Sequence, residues 1–272
     1  MAATGTTGLN KSIRELWQAR HFIRNSIRNE FVTRVVRSRL GLFWVILYPL
    51  AQVAIYAFVL SVIMSAKLPG MNSAYAYPIY LTAGILAWTL FAEVLGRCQS
   101  IFIENGNLLK KMVFPRMALP MVVAGSALLN NAALLVCALA IFALLGHFPG
   151  LVLLWLLPLT LLLLLLAMSF GLALGLLNVF IRDISQLVTI GLQFGFWLTP
   201  IVYSASLIPE RYRALLHLNP MTGIVQAYQN VLVYARMPDL ELLAYPAACA
   251  LVGLLLAGFL YRRAIDEVVD VL

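Results

Sequence analysis

Charged residues are scarce in this chain. Only 11% of its 272 residues are Asp, Glu, Lys or Arg, and 62% are apolar, whereas an ordinary globular protein carries about 25% charged residues. Long apolar blocks follow one another with few polar interruptions. The composition excludes a large soluble core and predicts an all-α polytopic membrane protein, because a helix satisfies its own backbone hydrogen bonds in lipid.

Motifs for catalysis, nucleotide binding and metal binding are also missing. The sequence contains no GxxxxGKS/T loop, no Gly-rich fingerprint after a strand and no GxSxG elbow. Its three histidines and eleven acidic residues are dispersed, and its three cysteines are too far apart to suggest a disulfide framework or a metal site. We therefore expect a chain that is not an enzyme and that binds no metal or cofactor of its own.

Positive charge is concentrated before the first apolar block. The net charge is +8, and eight of the nineteen basic residues precede that block. They are Lys11, Arg14, Arg20, Arg24, Arg28, Arg34, Arg37 and Arg39. Since a basic approach to a hydrophobic span is attracted to anionic lipid and orients the span, these residues predict contact with membrane lipids and no nucleic-acid partner.

A basic amphipathic helix is predicted before the spans. Residues 1–11 are small and polar and are expected to be disordered, whereas Ser12 and Glu15 have the spacing of a capping box. We interpret residues 12–39 as a region that lies in the cytoplasmic interface, where arginine stems cover the apolar boundary. A soluble basic helix is the alternative. The apolar face comprises Ile13, Leu16, Trp17, Ile23, Ile27 and Phe31, with Arg20 and Arg24 intruding on it.

Six transmembrane helices are predicted between residues 40 and 263, because about twenty apolar residues cross the bilayer core. They lie at roughly Leu40–Ala66, Tyr77–Ile103, Met117–Leu145, Leu151–Phe180, Ile184–Tyr203 and Leu242–Tyr261. With the N-terminus inside, fourteen basic residues fall in cytoplasmic segments and four fall outside. The positive-inside rule therefore places both termini, including a tail at 264–272, in the cytoplasm.

The segment between the fifth and sixth spans, residues 204–240, has a different composition. It contains three prolines and several charges, and its piece Thr222–Tyr234 is too short and too rich in amides to span the bilayer. We interpret the segment as short external re-entrant helices that dip into the outer interface. Because nonhelical backbone at that depth must be buried in protein or line a wet cavity, the segment is a candidate exit of a pathway.

The most polar interruption of the central apolar blocks follows the second predicted span. Asn105, Gly106 and Asn107 break the incoming helix, and basic residues keep the loop cytoplasmic. Apolar residues stand between those charges, which favours a short helix at 104–114 that docks onto a cytoplasmic partner. A turn that only anchors topology is the alternative. The residues assigned to this contact are Leu108, Leu109, Lys110, Lys111, Phe114, Pro115 and Arg116, together with Arg182 and Asp183 on the second cytoplasmic turn.

Charge inside the predicted spans is rare. Glu93 and Arg97 lie four residues apart on the second span, a spacing that allows them to pair on one helix face. We favour a structural ion pair over a proton or ion relay, because no other buried acid or base would continue a relay. Energy for any transport must then come from elsewhere.

Aromatic residues are frequent on the first, second and fifth predicted spans. Tyr75, Tyr77 and Tyr80 fit an interfacial belt. A belt accounts less well for Trp88, which is about a dozen residues from either end of its span. Because aromatic faces stack on sugar rings, a channel for a carbohydrate chain is the second interpretation. The channel-lining candidates are Trp44, Tyr48, Tyr56, Phe58, Trp88, Phe91, Phe194, Trp197 and Tyr203.

Five strings of residues occur in one order and cover most of the chain. They are LGLFWVILYPL at Leu40–Leu50, YPIYLTAGILAWTLF at Tyr77–Phe91, NGNLLKKMVFPRMALP at Asn105–Pro120, RDISQLVTIGLQFGFWLTPIVY at Arg182–Tyr203, and the step Asn219–Pro220. Each is degenerate by itself. Together they resemble the transmembrane subunit of ABC exporters for bacterial surface polysaccharides, such as O-antigen, capsule and teichoic acid.

The resemblance implies a type-2 ABC exporter fold in the bacterial inner membrane and a lipid-linked polysaccharide as substrate. It also implies a homodimer that works with two copies of a separate ATPase subunit, which binds ATP and Mg. The loop after the second span would be the coupling helix that sits in a groove of the ATPase. The interfacial helix would form the gate where the substrate enters, with Trp17, Arg20, Arg24 and Arg28 as its candidate residues.

Other functions stay open at this stage. An exporter of the same fold could carry a drug or a small lipid, and a membrane enzyme could act on a lipid-linked sugar without ATP. A scaffold or assembly subunit is a third possibility. The aromatic residues within the spans favour a sugar over a small lipid.

Overall fold

The computed structural model describes residues 17–37, 41–58, 75–106, 110 and 117–271, and every regular element in these ranges is helical. In chain order we label α1 Arg20–Arg37, α2 Gly41–Ala57, α3 Ala76–Glu104, α4 Ala118–Leu144, α5 Leu156–Phe180, α6 Ile184–Leu198, α7 Glu210–His217, α8 Pro220–Leu232 and α9 Leu240–Val271. Short 3-10 turns lie at Gly150–Trp155 and Ala205–Leu207. The all-α prediction is confirmed.

Some predicted features lie outside the described residues. They are the disordered terminus at 1–11, the capping box, the end of the first span at 59–66, and most of the predicted coupling helix.

Four helices are long and apolar enough to cross a bilayer. They are α3, α4, α5 together with the 3-10 turn before it, and α9. Helices α2 and α6 are apolar but shorter, with 17 and 15 residues. Apolar helices therefore occur at all six predicted places and in the predicted order, while the number of crossings stays a prediction.

Helices α3 and α4 begin and end within one residue of the predicted second and third spans. The prediction was wrong at the end of the fifth span. Helix α6 stops at Leu198 rather than Tyr203, because Pro200 disfavours helical backbone at the residue before it, and Thr199 is extended there. Helix α9 covers the predicted sixth span and continues past Tyr261 to Val271.

Helix α3 lies at the centre of the bundle. It packs most extensively against α5 and also contacts α4, α8 and α2. The most apolar stretch of α3 is 78% buried, compared with 22% for α9. Small residues permit this packing: a Cβ at Gly171 of α5 would come within 2.7 Å of Cys98 Cβ on α3. Close approach of backbones is how helices associate where lipid provides no hydrophobic drive.

Candidate functional site

Aromatic side chains from α2, α3 and α6 form a continuous cluster, which we call the aromatic wall. Its members are Tyr56, Trp88, Phe91, Phe196 and Trp197, with ring centroids 5.5–6.3 Å apart along the chain of contacts. Trp88, Phe91 and Phe196 are buried, whereas Trp197 is 54% exposed. The aromatic wall is therefore buried at Trp88, Phe91 and Phe196 and accessible from outside the chain at Trp197. Four of the five rings are predicted channel-lining residues.

The other channel-lining candidates lie elsewhere. Trp44 and Tyr48 are exposed on α2, Phe58 is exposed just after it, and Phe194 is exposed on α6, so each can face lipid, a second chain or a channel. Tyr203 follows the end of α6, and its hydroxyl donates to the Trp197 carbonyl at 3.0 Å. Tyr203 is thus held beside the wall by its own segment and contributes no ring to it among the described residues.

An apolar groove of about 740 Å³ lies beside the aromatic wall. Trp88 and Phe91 of α3, Phe170 of α5 and Phe194 of α6 contribute to its lining, and Asn219 is a polar residue at its edge. The groove can accommodate a hydrocarbon chain or an apolar helix face. It offers few hydrogen-bonding groups to a sugar.

The segment that follows α6 is held by what we call the tyrosine clamp, formed by Tyr77, Tyr80 and Gln229. Tyr77 Oη donates to the Val202 carbonyl at 2.5 Å. Tyr80 Oη lies 3.0 Å from the Tyr203 carbonyl and 3.2 Å from that of Pro200, to which Gln229 Nε2 also donates at 3.0 Å. These bonds satisfy carbonyl groups that have left the helix.

The clamp corrects the interpretation of Tyr77 and Tyr80 as belt residues. Both side chains are buried, with 7% and 4% exposure, whereas Tyr75 is exposed. Helix α8, which carries Gln229 of the clamp, is itself bonded to α5: its Tyr228 hydroxyl shares a hydrogen bond with Thr160 at 2.7 Å. The sequence signal for the clamp was Pro200, which ends α6.

Helix α1 packs along α4 and presents an arginine-rimmed groove of about 450 Å³. Arg20, Arg24 and Arg28 form its rim, and its floor comprises Ile23, Ile27, Phe31 and Leu129. Three residues of the predicted apolar face, Ile23, Ile27 and Phe31, therefore lie together, whereas Trp17 does not join them; the location of the helix at the membrane interface stays a prediction. Trp17 is exposed, and the Arg20 guanidinium lies 5.0 Å over its ring.

Three helices meet at a set of polar side chains, which we call the polar junction. Its members are Glu30 of α1, Glu93 and Arg97 of α3, and Ser126 and Asn130 of α4. Arg97 donates to Glu30 at 2.9 Å and to Glu93 at 3.4 Å. Ser126 Oγ lies 2.7 Å from Glu30, and Asn130 Nδ2 donates to Glu93 at 2.9 Å.

The predicted Glu93–Arg97 pair is confirmed, but the rest of the junction was not predicted from the sequence. Glu30 lies in a helix rich in arginine, where a carboxylate gives no sign of pairing outside its own helix. Ser126 and Asn130 are buried in a largely apolar helix. Polar groups eight and twelve residues after the start of a span were the available signal, because such groups require a partner in lipid.

The residues assigned to cytoplasmic docking are only partly described. Lys110, Arg182 and Asp183 are exposed, the last two in the turn between α5 and α6. Leu108, Leu109, Lys111, Phe114, Pro115 and Arg116 lie outside the described residues. Within the described ranges, no group of three His, Cys, Asp or Glu side chains could hold a metal ion.

Comparison with known proteins connects these features to one family. Residues 22–233 match the profile of the ABC-2 type transporters. The chain is 30% identical to the O-antigen export system permease protein RfbA of Myxococcus xanthus, over 94% of this chain and 96% of that protein. It is 28% identical to an RfbA permease of Klebsiella pneumoniae over 73% and 74% of the two chains. It is 24% identical to the polysialic acid transport protein KpsM of Escherichia coli over 86% and 89%.

Proposed function

Because the chain belongs to the ABC-2 type transporter family, we propose that it is the permease subunit of an exporter that moves a lipid-linked surface polysaccharide across the bacterial inner membrane. The observation that carries this proposal is the similarity to an O-antigen export permease over 94% of the chain. The chain contributes the membrane pathway, and a separate ATPase subunit that binds ATP and Mg supplies the energy.

Two copies of the chain form the pathway in this proposal. The exposed aromatic residues support it, because each has more than half of its surface open in the single chain. They are Trp44 and Tyr48 of α2, Phe58 just after it, and Phe194 and Trp197 of α6. Aromatic faces that remain exposed beside a packed aromatic wall suit sugar rings, which stack on them without fixed hydrogen bonds. The short helices α7 and α8 are then re-entrant and lie at the outer end of the pathway.

Helix α6 supports the re-entrant arrangement. Its 15 residues cover about 22 Å, against about 30 Å for the hydrocarbon core. The crossing is completed by nonhelical backbone at 199–203, whose carbonyls the tyrosine clamp satisfies. Such backbone at membrane depth is tolerated only where protein buries it or where it lines a cavity.

Coupling to the ATPase takes place at the loop between α3 and α4. This loop connects the end of α3 to the start of α4, so a displacement of the loop moves both helices. Phe114→Ala is expected to leave membrane abundance unchanged, to preserve ATP hydrolysis and to lower polysaccharide export per ATP. An unchanged ratio of export to hydrolysis would contradict docking through Phe114.

The proposed function is tested by a tagged purification from gently solubilised membranes, combined with deletion and complementation of the gene. We expect an ATPase subunit at about one copy per permease, a native mass with both proteins doubled, and loss of surface polysaccharide on deletion. Because the apolar groove would also fit a small lipid, loss of a lipid with intact surface polysaccharide would favour a lipid exporter. A chain that purifies alone and modifies lipid-linked sugars would be a membrane enzyme.

A further inference from the structure

The polar junction connects α1 to α3 and α4, and it also connects α3 to α4 directly. Glu93 of α3 accepts from Asn130 of α4 at 2.9 Å, so this bond connects α3 to α4. Helix α1 enters the junction through Glu30, which accepts from Arg97 of α3 and contacts Ser126 of α4. Removing α1 from the junction would therefore leave the α3–α4 connection intact.

Arg97 and Ser126, the two groups on α3 and α4 that contact Glu30, each have a second acceptor on their own helix. Arg97 Nη1 lies 3.4 Å from Glu93 Oε1, one helical turn away. Ser126 Oγ lies 2.5 Å from the Val122 carbonyl, also one turn away. When α1 withdraws, the guanidinium and the hydroxyl each keep a partner. On the side of α3 and α4, separation then costs one ion pair and leaves no cation unpaired.

The junction is also close to the loop on which a cytoplasmic partner would act. Arg97 lies two turns before the end of α3 at Glu104, and Ser100 between them donates to Glu104 at 2.6 Å. Ser126 and Asn130 lie two to three turns after the start of α4. A movement of the loop therefore reaches Arg97 and Ser126 through short stretches of rigid helix.

We propose that Glu30 and Arg97 form a releasable latch that holds α1 against α3 and α4, and that Glu93 retains Arg97 when the latch opens. Glu30, Arg97 and Glu93 are positioning residues, since they set the place of α1 rather than touch the substrate. The purpose of the motion, opening the arginine-rimmed groove during transport, rests on the proposed function. The latch itself does not.

The state of the latch can be measured with one cysteine pair. Ile27 of α1 lies against Gly125 of α4, where an added Cβ would collide with the Ile27 side chain. Ile27→Cys with Gly125→Cys, in a chain whose Cys98, Cys137 and Cys249 are replaced by alanine, gives a disulfide whose rate of formation in membranes reports how often α1 is closed. Glu241→Gln, an exposed carboxylate on α9, is the matched control.

The two carboxylates are expected to act in opposite directions. Glu30→Gln should lower the rate of disulfide formation roughly tenfold, the size expected for loss of one charge-assisted hydrogen bond. Glu93→Gln should raise the rate of disulfide formation or leave it unchanged, because Glu30 is then the carboxylate that Arg97 keeps within the junction. The same variant should slow export. If the junction only stabilised the fold, both variants would change the rate of disulfide formation in the same direction.

Loss of crosslinking in both variants, or no change with Glu30→Gln, would overturn the latch. If Glu30→Gln accumulates poorly, Arg97→Lys provides the same comparison, because lysine keeps the charge but cannot bridge both carboxylates with a planar fork. Here the latch predicts a lower rate of disulfide formation, and an unchanged rate contradicts it. The rate is measured without export, so a latch that responds as predicted in a chain that exports no polysaccharide would refute the proposed function alone.

Discussion

The two ends of α3 are held in different ways. At its start, the neutral hydroxyls of Tyr77 and Tyr80 donate to backbone carbonyls between residues 200 and 203. At its end, the guanidinium of Arg97 pairs with two carboxylates. The carbonyls have left the helix and have no intrahelical alternative, whereas Arg97 has a second partner one turn away. We therefore expect the clamp end to be fixed within a chain and the junction end to be movable.

The largest effect is expected from removing the cation of the junction. Arg97→Leu leaves Glu30 and Glu93 facing each other without their shared partner, which should destabilise the protein by about 3 kcal/mol. The midpoint of thermal unfolding in detergent and the abundance in membranes measure this loss. Arg236→Leu, at an exposed position outside the helices, is the control and should change neither quantity.

A smaller effect is expected from overpacking the clamp end. A Cβ at Gly84 would lie 2.9 Å from Ile201 Cγ2 and 3.2 Å from Ile201 Cα, so Gly84→Leu should push the 199–203 segment away and destabilise the protein by about 1–3 kcal/mol. Gly96 on the same helix has its nearest such neighbour, Leu192 Cδ1, at 3.9 Å. Equal losses of thermal stability for Gly84→Leu and Gly96→Leu would refute the tight contact.

The smallest effect is expected from one hydroxyl of the clamp. Tyr80→Phe removes a donor from the Tyr203 carbonyl and leaves Gln229 as the described donor to the Pro200 carbonyl. The loss should lower the free energy of unfolding by about 1 kcal/mol. Tyr212→Phe removes a hydroxyl from an exposed ring on α7 and is expected to have no effect. A lower melting temperature for Tyr80→Phe than for Tyr212→Phe would show that the clamp stabilises the fold. Equal melting temperatures would show that water replaces the lost hydrogen bond.

The sequence predicted the helices better than their contacts. The extent of the apolar run was enough to place α3 within one residue at each end. It could not place the end of α6, where a single proline at position 200 overrides an apolar run that continues to Tyr203.

The candidate site was predictable where partners lie on one helix. Glu93 and Arg97 pair as their spacing requires. The link from Arg97 to Glu30, 67 residues earlier in the chain, depends on how α1 lies against α3 and α4, and no local pattern contains that information. The aromatic wall was predicted only in part for the same reason. Residue type identifies candidate rings, whereas the rotation of each helix decides which rings are in contact.

Two disulfide pairs compared in the assembled transporter test the contrast between the ends of α3 most directly. One pair is Ile27→Cys with Gly125→Cys at the junction, and the other is Gly84→Cys with Ile201→Cys at the clamp. Each is measured in membranes with and without nucleotide. We expect nucleotide to change the rate of disulfide formation at the junction pair and to leave the clamp pair unchanged. A clamp pair that responds while the junction pair does not would contradict the account.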